Sequence, residues 1–198
     1  MEVNLAAFTS FIIITSFTPG PNNIASASFG MLLGYQQSFK FLMGVVVGFF
    51  LMLWVCALLS GFLLQSAPLI NTYLKYIGAA YIIWLAYQTL RASYATTGEI
   101  KLLATFTRGL LLQMVNPKGL FCGLTIFTTF LAGIKGEVLT ILPWTFVLAA
   151  VGFCAVSTWT LFGNAIQKYM QNKILKQAVN ISFSLALLLT ALQIVGIF

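Results

Sequence analysis

The sequence predicts an all-α integral membrane protein of six transmembrane helices, arranged as two three-helix inverted repeats, with helices 1 and 4 broken at Pro19/Pro21 and at Pro117. Three observations lead there. The 198 residues are 60% hydrophobic and only 7% charged, far from the composition of a soluble globular domain. The apolar residues gather into runs long enough to cross a bilayer core, which takes about 20 residues per helix. Two of those runs are interrupted near their middle by proline beside asparagine, at Thr18-Pro19-Gly20-Pro21-Asn22-Asn23 and at Asn116-Pro117-Lys118.

The first run spans roughly 4–33. It carries Glu2 and has no Lys or Arg before Lys40, whereas a signal peptide needs a basic start, so it is expected to belong to the mature protein. The second and third runs, roughly 41–64 and 70–91, are uninterrupted. The fourth, roughly 103–132, matches the first in length and in its proline break; a bent or discontinuous span is longer than a straight one. The fifth and sixth lie at roughly 138–164 and 174–197. Connections are short, and a single membrane domain over 1–198 is expected.

Alternating the spans across the membrane puts Lys40, Arg91, Lys101, Arg108, Lys168, Lys173 and Lys176 on one side and only Lys75 and Lys135 on the other. Short cytoplasmic loops collect Lys and Arg. The first, third and fifth connections are therefore expected to be cytoplasmic and both termini periplasmic. The halves 1–98 and 99–198 each hold three spans with the break in the first. Gly34 closes the first span and Gly133 the fourth, and Gly30/Gly34 and Gly119/Gly123 follow the two breaks. An odd number of spans per half makes the repeat inverted, with a pseudo-two-fold axis in the membrane plane.

Composition also excludes chemistry. There is no histidine, and the three acids, Glu2, Glu99 and Glu137, sit at an end or in connections, so acid/base pairs and metal centres lack raw material. No metal and no cofactor are expected. The net charge of +7 is spread over connections without aromatic interleaving, which argues against nucleic acid. Cys56, Cys122 and Cys154 lie inside apolar runs without CxxC spacing and read as small buried hydrophobes. Small residues at four-residue spacing, as in Ala25-Ser26-Ala27-Ser28, Gly44/Gly48 and Gly119/Gly123, let membrane helices approach closely. The stretch from Gly78 to Tyr87 reads as core packing or an interfacial aromatic belt.

The breaks are where a site is expected. Proline removes a backbone donor and frees carbonyls, which lipid tolerates only where protein or a water-lined cavity satisfies them. After Pro21 a new helix starts with free N–H groups and a partial positive end, suited to a carboxylate. Asn22, Asn23 and Asn116 add amide donors and acceptors; capping the broken helices is their structural alternative. Lys118 is the one charged side chain deep inside an apolar run. Such groups face a cavity or a partner by default, although a lysine stem also allows snorkelling to an interface. Pro19, Gly20, Pro21, Asn22, Asn23, Asn116, Pro117 and Lys118, with Ser26 as a weaker candidate, are the expected binding residues for a small zwitterion.

Pro19-Gly20-Pro21-Asn22 and Asn116-Pro117-Lys118 resemble the PGPN-type and NPK-type signatures of the LysE/RhtB family of amino-acid exporters, a resemblance that covers the whole chain. Thr18 to Asn23 followed by Ile24, with Trp84-Leu85-Ala86, is most similar to the branch exporting cysteine and O-acetylserine. The resemblance implies export of a small neutral amino acid or derivative, of the cysteine/O-acetylserine, threonine/homoserine or leucine type, across the bacterial inner membrane and driven by an ion gradient. Its partners are the amino-acid substrate and the lipid bilayer, with a homodimer left open. Proton antiporters use intramembrane Asp, Glu or His, absent here, which leaves Lys118 as the proton-coupling candidate. An uncoupled facilitator is the alternative. An intramembrane enzyme would have only Cys122, one turn beyond Lys118, as nucleophile; a scaffold would have no use for the paired breaks.

Overall fold

The computed structural model describes residues 5–58, 103–131, 138–166 and 172–195, with positions 76, 79, 80, 82–84, 86, 87, 90 and 91 between them. In chain order these residues form α1 (Leu5–Phe17), α2 (Pro21–Leu33), α3 (Tyr35–Leu58), α4 (Phe106–Met114), α5 (Pro117–Thr125), a π-helical turn (Ile126–Phe130), α6 (Val138–Ile166) and α7 (Lys173–Val195). The described positions from 76 to 91 are helical as well, and no strand occurs among the described residues. By length and composition α3, with a mean hydropathy of 2.6, and Leu139–Ile166 of α6, at 2.1, can each cross a bilayer. The pair Phe106–Met114 and Pro117–Phe130, bent by 61°, is a third span if taken as one.

Both predicted breaks are present. Gly20 is fully extended (φ −172°, ψ 175°) and Pro21 opens α2; Asn116 is extended (φ −84°, ψ 103°) and Pro117 opens α5. Proline at the first helical position loses nothing, because its N–H has no partner there anyway. Proline alone does not break a span in this chain: α6 runs through Pro143. The first break is held open by the extended glycine, and the second by the asparagine cap.

One predicted connection is corrected. Gly34, at φ +79°, ends α2 with its N–H on the Gly30 carbonyl at 2.9 Å, and α3 begins at the next residue. Only glycine takes that conformation freely. The turn is therefore made in one residue, and Lys40 stands inside α3 rather than in a loop. The π-turn was not anticipated; it closes with the Leu131 N–H on the Ile126 carbonyl at 2.7 Å, and such turns leave no mark in apolar periodicity. Gly133, the three acids, Lys75, Lys101, Lys135 and Lys168 lie outside the described residues.

Two apolar clusters flank the breaks. One joins α2, the start of α3 and the end of α4, through Ile24, Leu33, Phe41, Leu42 and Leu112, to Ala79, Ile82 and Ala86. This stripe supports the packing reading of the Gly78–Tyr87 stretch, and Ser184 of α7 donates to the Ala86 carbonyl at 2.9 Å. The other cluster joins α1, the end of α3, α5 with its π-turn and the start of α6, through Phe8, Leu53, Ile126, Phe127 and Ile141. At the first cluster the backbones touch. A Cβ on Gly30 would strike the Thr160 carbonyl, on Gly163 the Ala27 carbonyl, on Gly44 the Phe106 carbonyl and on Gly109 the Phe41 carbonyl. These are reciprocal glycine contacts between α2 and α6 and between α3 and α4, the close approach expected of small residues in membrane helices.

Of the cysteines, expected to be buried, Cys154 departs most from expectation. Cys56 is buried, Cys122 is partly buried and Cys154 is exposed. Val147, Ala150, Cys154, Thr158 and Leu161 form an outward stripe along α6. An apolar thiol needs no protein cover on a face that meets lipid.

Candidate functional site

The first break releases carbonyls at the end of α1, and side chains recapture them. Asn23, buried in the first turn of α2, donates its Nδ2 back to the carbonyls of Ser16 (2.8 Å) and Thr18 (2.9 Å). Trp159 of α6 donates its indole N–H to the Phe17 carbonyl at 3.1 Å. The start of α2 itself has no side-chain cap. Its first N–H groups lack intrahelical partners by geometry, and the helix dipole adds partial positive charge there.

The second break is built differently. Asn116, 4% exposed, caps α5: its Oδ1 accepts the Lys118 N–H at 3.1 Å. The capping role foreseen for the asparagines is thus taken by Asn116 at the start of α5 and by Asn23 at the carbonyl end of α1, while Asn22 caps neither helix. Lys118 then crosses to the first break. Its Nζ donates to both the carbonyl and the hydroxyl of Thr18, each at 3.0 Å. A Cβ on Gly20 would lie 3.2 Å from that Nζ, so glycine gives the ammonium room beside the uncapped helix start.

Between the breaks lies a cavity of about 70 Å³. At about 15 Å³ per water on this measure, it is the size of a few waters or one small solute. Gly20, Pro21, Asn22, Asn23, Asn116, Lys118 and Gln113 line its polar side; Val45, Val46 and Phe49 of α3 and Gly152, Ala155 and Val156 of α6 line the apolar side. Three expected residues lie off the lining. Pro19 is exposed, Pro117 is buried at the start of α5, and Ser26 is completely buried. Ser26 faces helix packing, in line with its small-residue context.

Gln113 escaped the sequence reading. It accepts from Asn22 Nδ2 at 2.5 Å and is only 1% exposed. Its signal was present: an uncharged polar residue inside an apolar run, one turn before Asn116. Among the described residues no group of three or more His, Cys, Asp or Glu could hold a metal. Cys122 lines the cavity, with its sulfur 3.7 Å from the Thr15 hydroxyl.

The family model for the LysE type translocator matches residues 13–196. A cysteine/O-acetylserine efflux protein of Klebsiella pneumoniae subsp. pneumoniae is 34% identical over 164 residues, 83% of this chain and 84% of the relative. Proteins of the same name from Salmonella typhimurium strain LT2 and Escherichia coli strain K12 are each 30% identical over 190 residues, 96% of both chains. No solved structure matches. These relatives are efflux proteins rather than enzymes, which removes the intramembrane-enzyme reading. With two proline-asparagine breaks facing one cavity and a family match over nearly its whole length, the chain belongs to the LysE family of translocators.

Proposed function

We propose that this protein exports a small neutral amino acid or derivative, of the cysteine/O-acetylserine type, across the bacterial inner membrane. One observation carries the reading: the Lys118 ammonium, rooted in the second break, reaches Thr18 in the first, beside the uncapped start of α2 and on the wall of a cavity sized for a small solute. Ammonium and helix start suit the carboxylate of a zwitterion; the asparagine side chains suit its ammonium. The apolar wall from α3 and α6 is left for a short side chain. The names of the relatives support the substrate class.

The two breaks support six spans in two inverted three-span repeats, 1–98 and 99–198, with the basic connections cytoplasmic and both termini periplasmic. Arg108 over the Trp84 ring at 4.9 Å and Arg91 over Tyr87 at 5.5 Å fit a membrane-interface belt on the basic side. Export is coupled to protons through Lys118, which exchanges its bond to Thr18 for the substrate carboxylate. An uncoupled facilitator is the competing reading, favoured by the lack of any histidine or aspartate in the chain.

The test is reconstitution in proteoliposomes with labelled cysteine and an imposed pH gradient. Wild type should accumulate substrate against its gradient, and Lys118→Gln should insert normally but lose accumulation. A Lys118→Gln protein that keeps full pH-driven uptake removes Lys118 as the carrier. Wild type that equilibrates cysteine without accumulating it is a facilitator.

A further inference from the structure

We propose that Gln113 is a positioning residue that fixes the orientation of the Asn22 amide, so that the Asn22 carbonyl oxygen is kept for the ammonium group of the transported solute. The proposal rests on the exporter reading and names how that site selects an amino acid.

Gln113 stands at the end of α4 in a slot floored by glycines. A Cβ on Gly48 would come within 3.0 Å of the Gln113 Cβ, and one on Gly119 would strike its Nε2. Held there, the amide has two different neighbours. Its Nε2 lies 3.3 Å from Met52 Sδ and its Oε1 accepts from Asn22 Nδ2 at 2.5 Å. A thioether sulfur accepts hydrogen bonds and never donates them. Only the NH2 end of Gln113 can therefore face Met52, which leaves the carbonyl end for Asn22. Asn22 in turn must offer its NH2 to Gln113, and its own carbonyl oxygen is turned away.

That oxygen, Asn22 Oδ1, is buried and has no hydrogen-bond partner among the described residues. A buried acceptor left unmade is costly, and each such atom in a folded protein asks for a reason. Asn22 lines the cavity, and a solute held there that draws its side chain forward supplies the missing donor. A carboxylate has no proton to give; an ammonium has three. The relay Met52, Gln113, Asn22 thus sets one acceptor from three separate helices, α3, α4 and α2, while Lys118 on the same cavity is a donor without acceptor capacity. A solute carrying both charges satisfies both, and one lacking the ammonium leaves Asn22 orphaned.

The experiment compares transport of cysteine with that of its des-amino analogue, which keeps the thiol and the carboxylate, in proteoliposomes holding the full chain. Wild type should favour cysteine by at least about tenfold in kcat/KM, since a site built to bond a polar group discriminates against its absence. Gln113→Met, which fills the slot without an acceptor, should raise KM for cysteine more than KM for the analogue and so collapse the ratio towards one. Met52→Leu, close in volume, removes the acceptor that orients Gln113 and should lower the ratio in a normally folded protein. If Gln113→Met fails to insert, Met52→Leu carries the test. Variants that move cysteine with the wild-type ratio, or lose both solutes equally, overturn the positioning role alone. A wild-type protein that moves neither solute overturns the exporter reading instead.

Discussion

Asn23 shows how one side chain makes a break between two apolar helices tolerable. Its amide takes the carbonyls of Ser16 and Thr18, two of the groups that the break at Gly20-Pro21 strips of their helical donors. Asn23→Leu fills similar space and removes both bonds. At about 1 kcal/mol net per hydrogen bond, the variant should be about 2 kcal/mol less stable, measured as a lower melting temperature in detergent. The same reasoning separates what the residues disclosed from what they hid. Proline beside asparagine marked both breaks, because proline cannot continue a helix without freeing carbonyls, and a lone lysine inside an apolar run, where a charge is expensive to bury, pointed to a residue that the fold places on the cavity wall. Gln113 was missed because an uncharged amide in an apolar run is a weaker signal than either. Its importance comes from neighbours on α2 and α3 that only folding brings to it.

Helix positions within the spans followed from run length, but their contacts did not. Glycine spacing announced that some helices would touch closely without saying which. In the fold α2 meets α6 and α3 meets α4 through carbonyls that leave no space for a methyl group. Gly109→Ala should therefore push α4 off the Phe41 carbonyl and destabilise the protein by about 1–3 kcal/mol, the usual cost of overpacking. Gly152, on the cavity wall, is a different case. A Cβ there would stop 3.1 Å from the Phe49 ring, which can yield by a few tenths of an ångström. Gly152→Ala should keep the wild-type melting temperature yet slow cysteine export several-fold, because the added methyl narrows the cavity from its apolar side. Parallel thermal-shift and transport assays on the two variants separate packing glycines from cavity glycines. The one-residue turn at Gly34 and the π-turn at Ile126–Phe130 were likewise beyond a reading of hydropathy, since both depend on backbone conformation rather than on side-chain polarity.

At the scale of the whole molecule two kinds of packing flank the breaks that line the cavity. Towards α1 and the π-turn the packing is of rings: Phe8 packs on Phe130 at 5.3 Å and edge-on to Trp144 at 5.6 Å, and Phe11 meets Phe130 at 5.3 Å. Cys122 on the cavity wall can report on it. In a chain with Cys56 and Cys154 replaced by alanine, Phe8→Ala with Trp144→Ala should raise the rate of Cys122 labelling by a membrane-impermeant maleimide several-fold. Saturating cysteine should slow that labelling, and an unchanged rate would show that the rings are no barrier. Towards α2 and α4 the packing is main chain against main chain at Gly30/Gly163 and Gly44/Gly109. Rings clear a path by rotamer jumps in nanoseconds, whereas parting packed helices takes microseconds to milliseconds. On the export proposed above, turnover is expected to keep the time of the glycine contacts rather than of the rings.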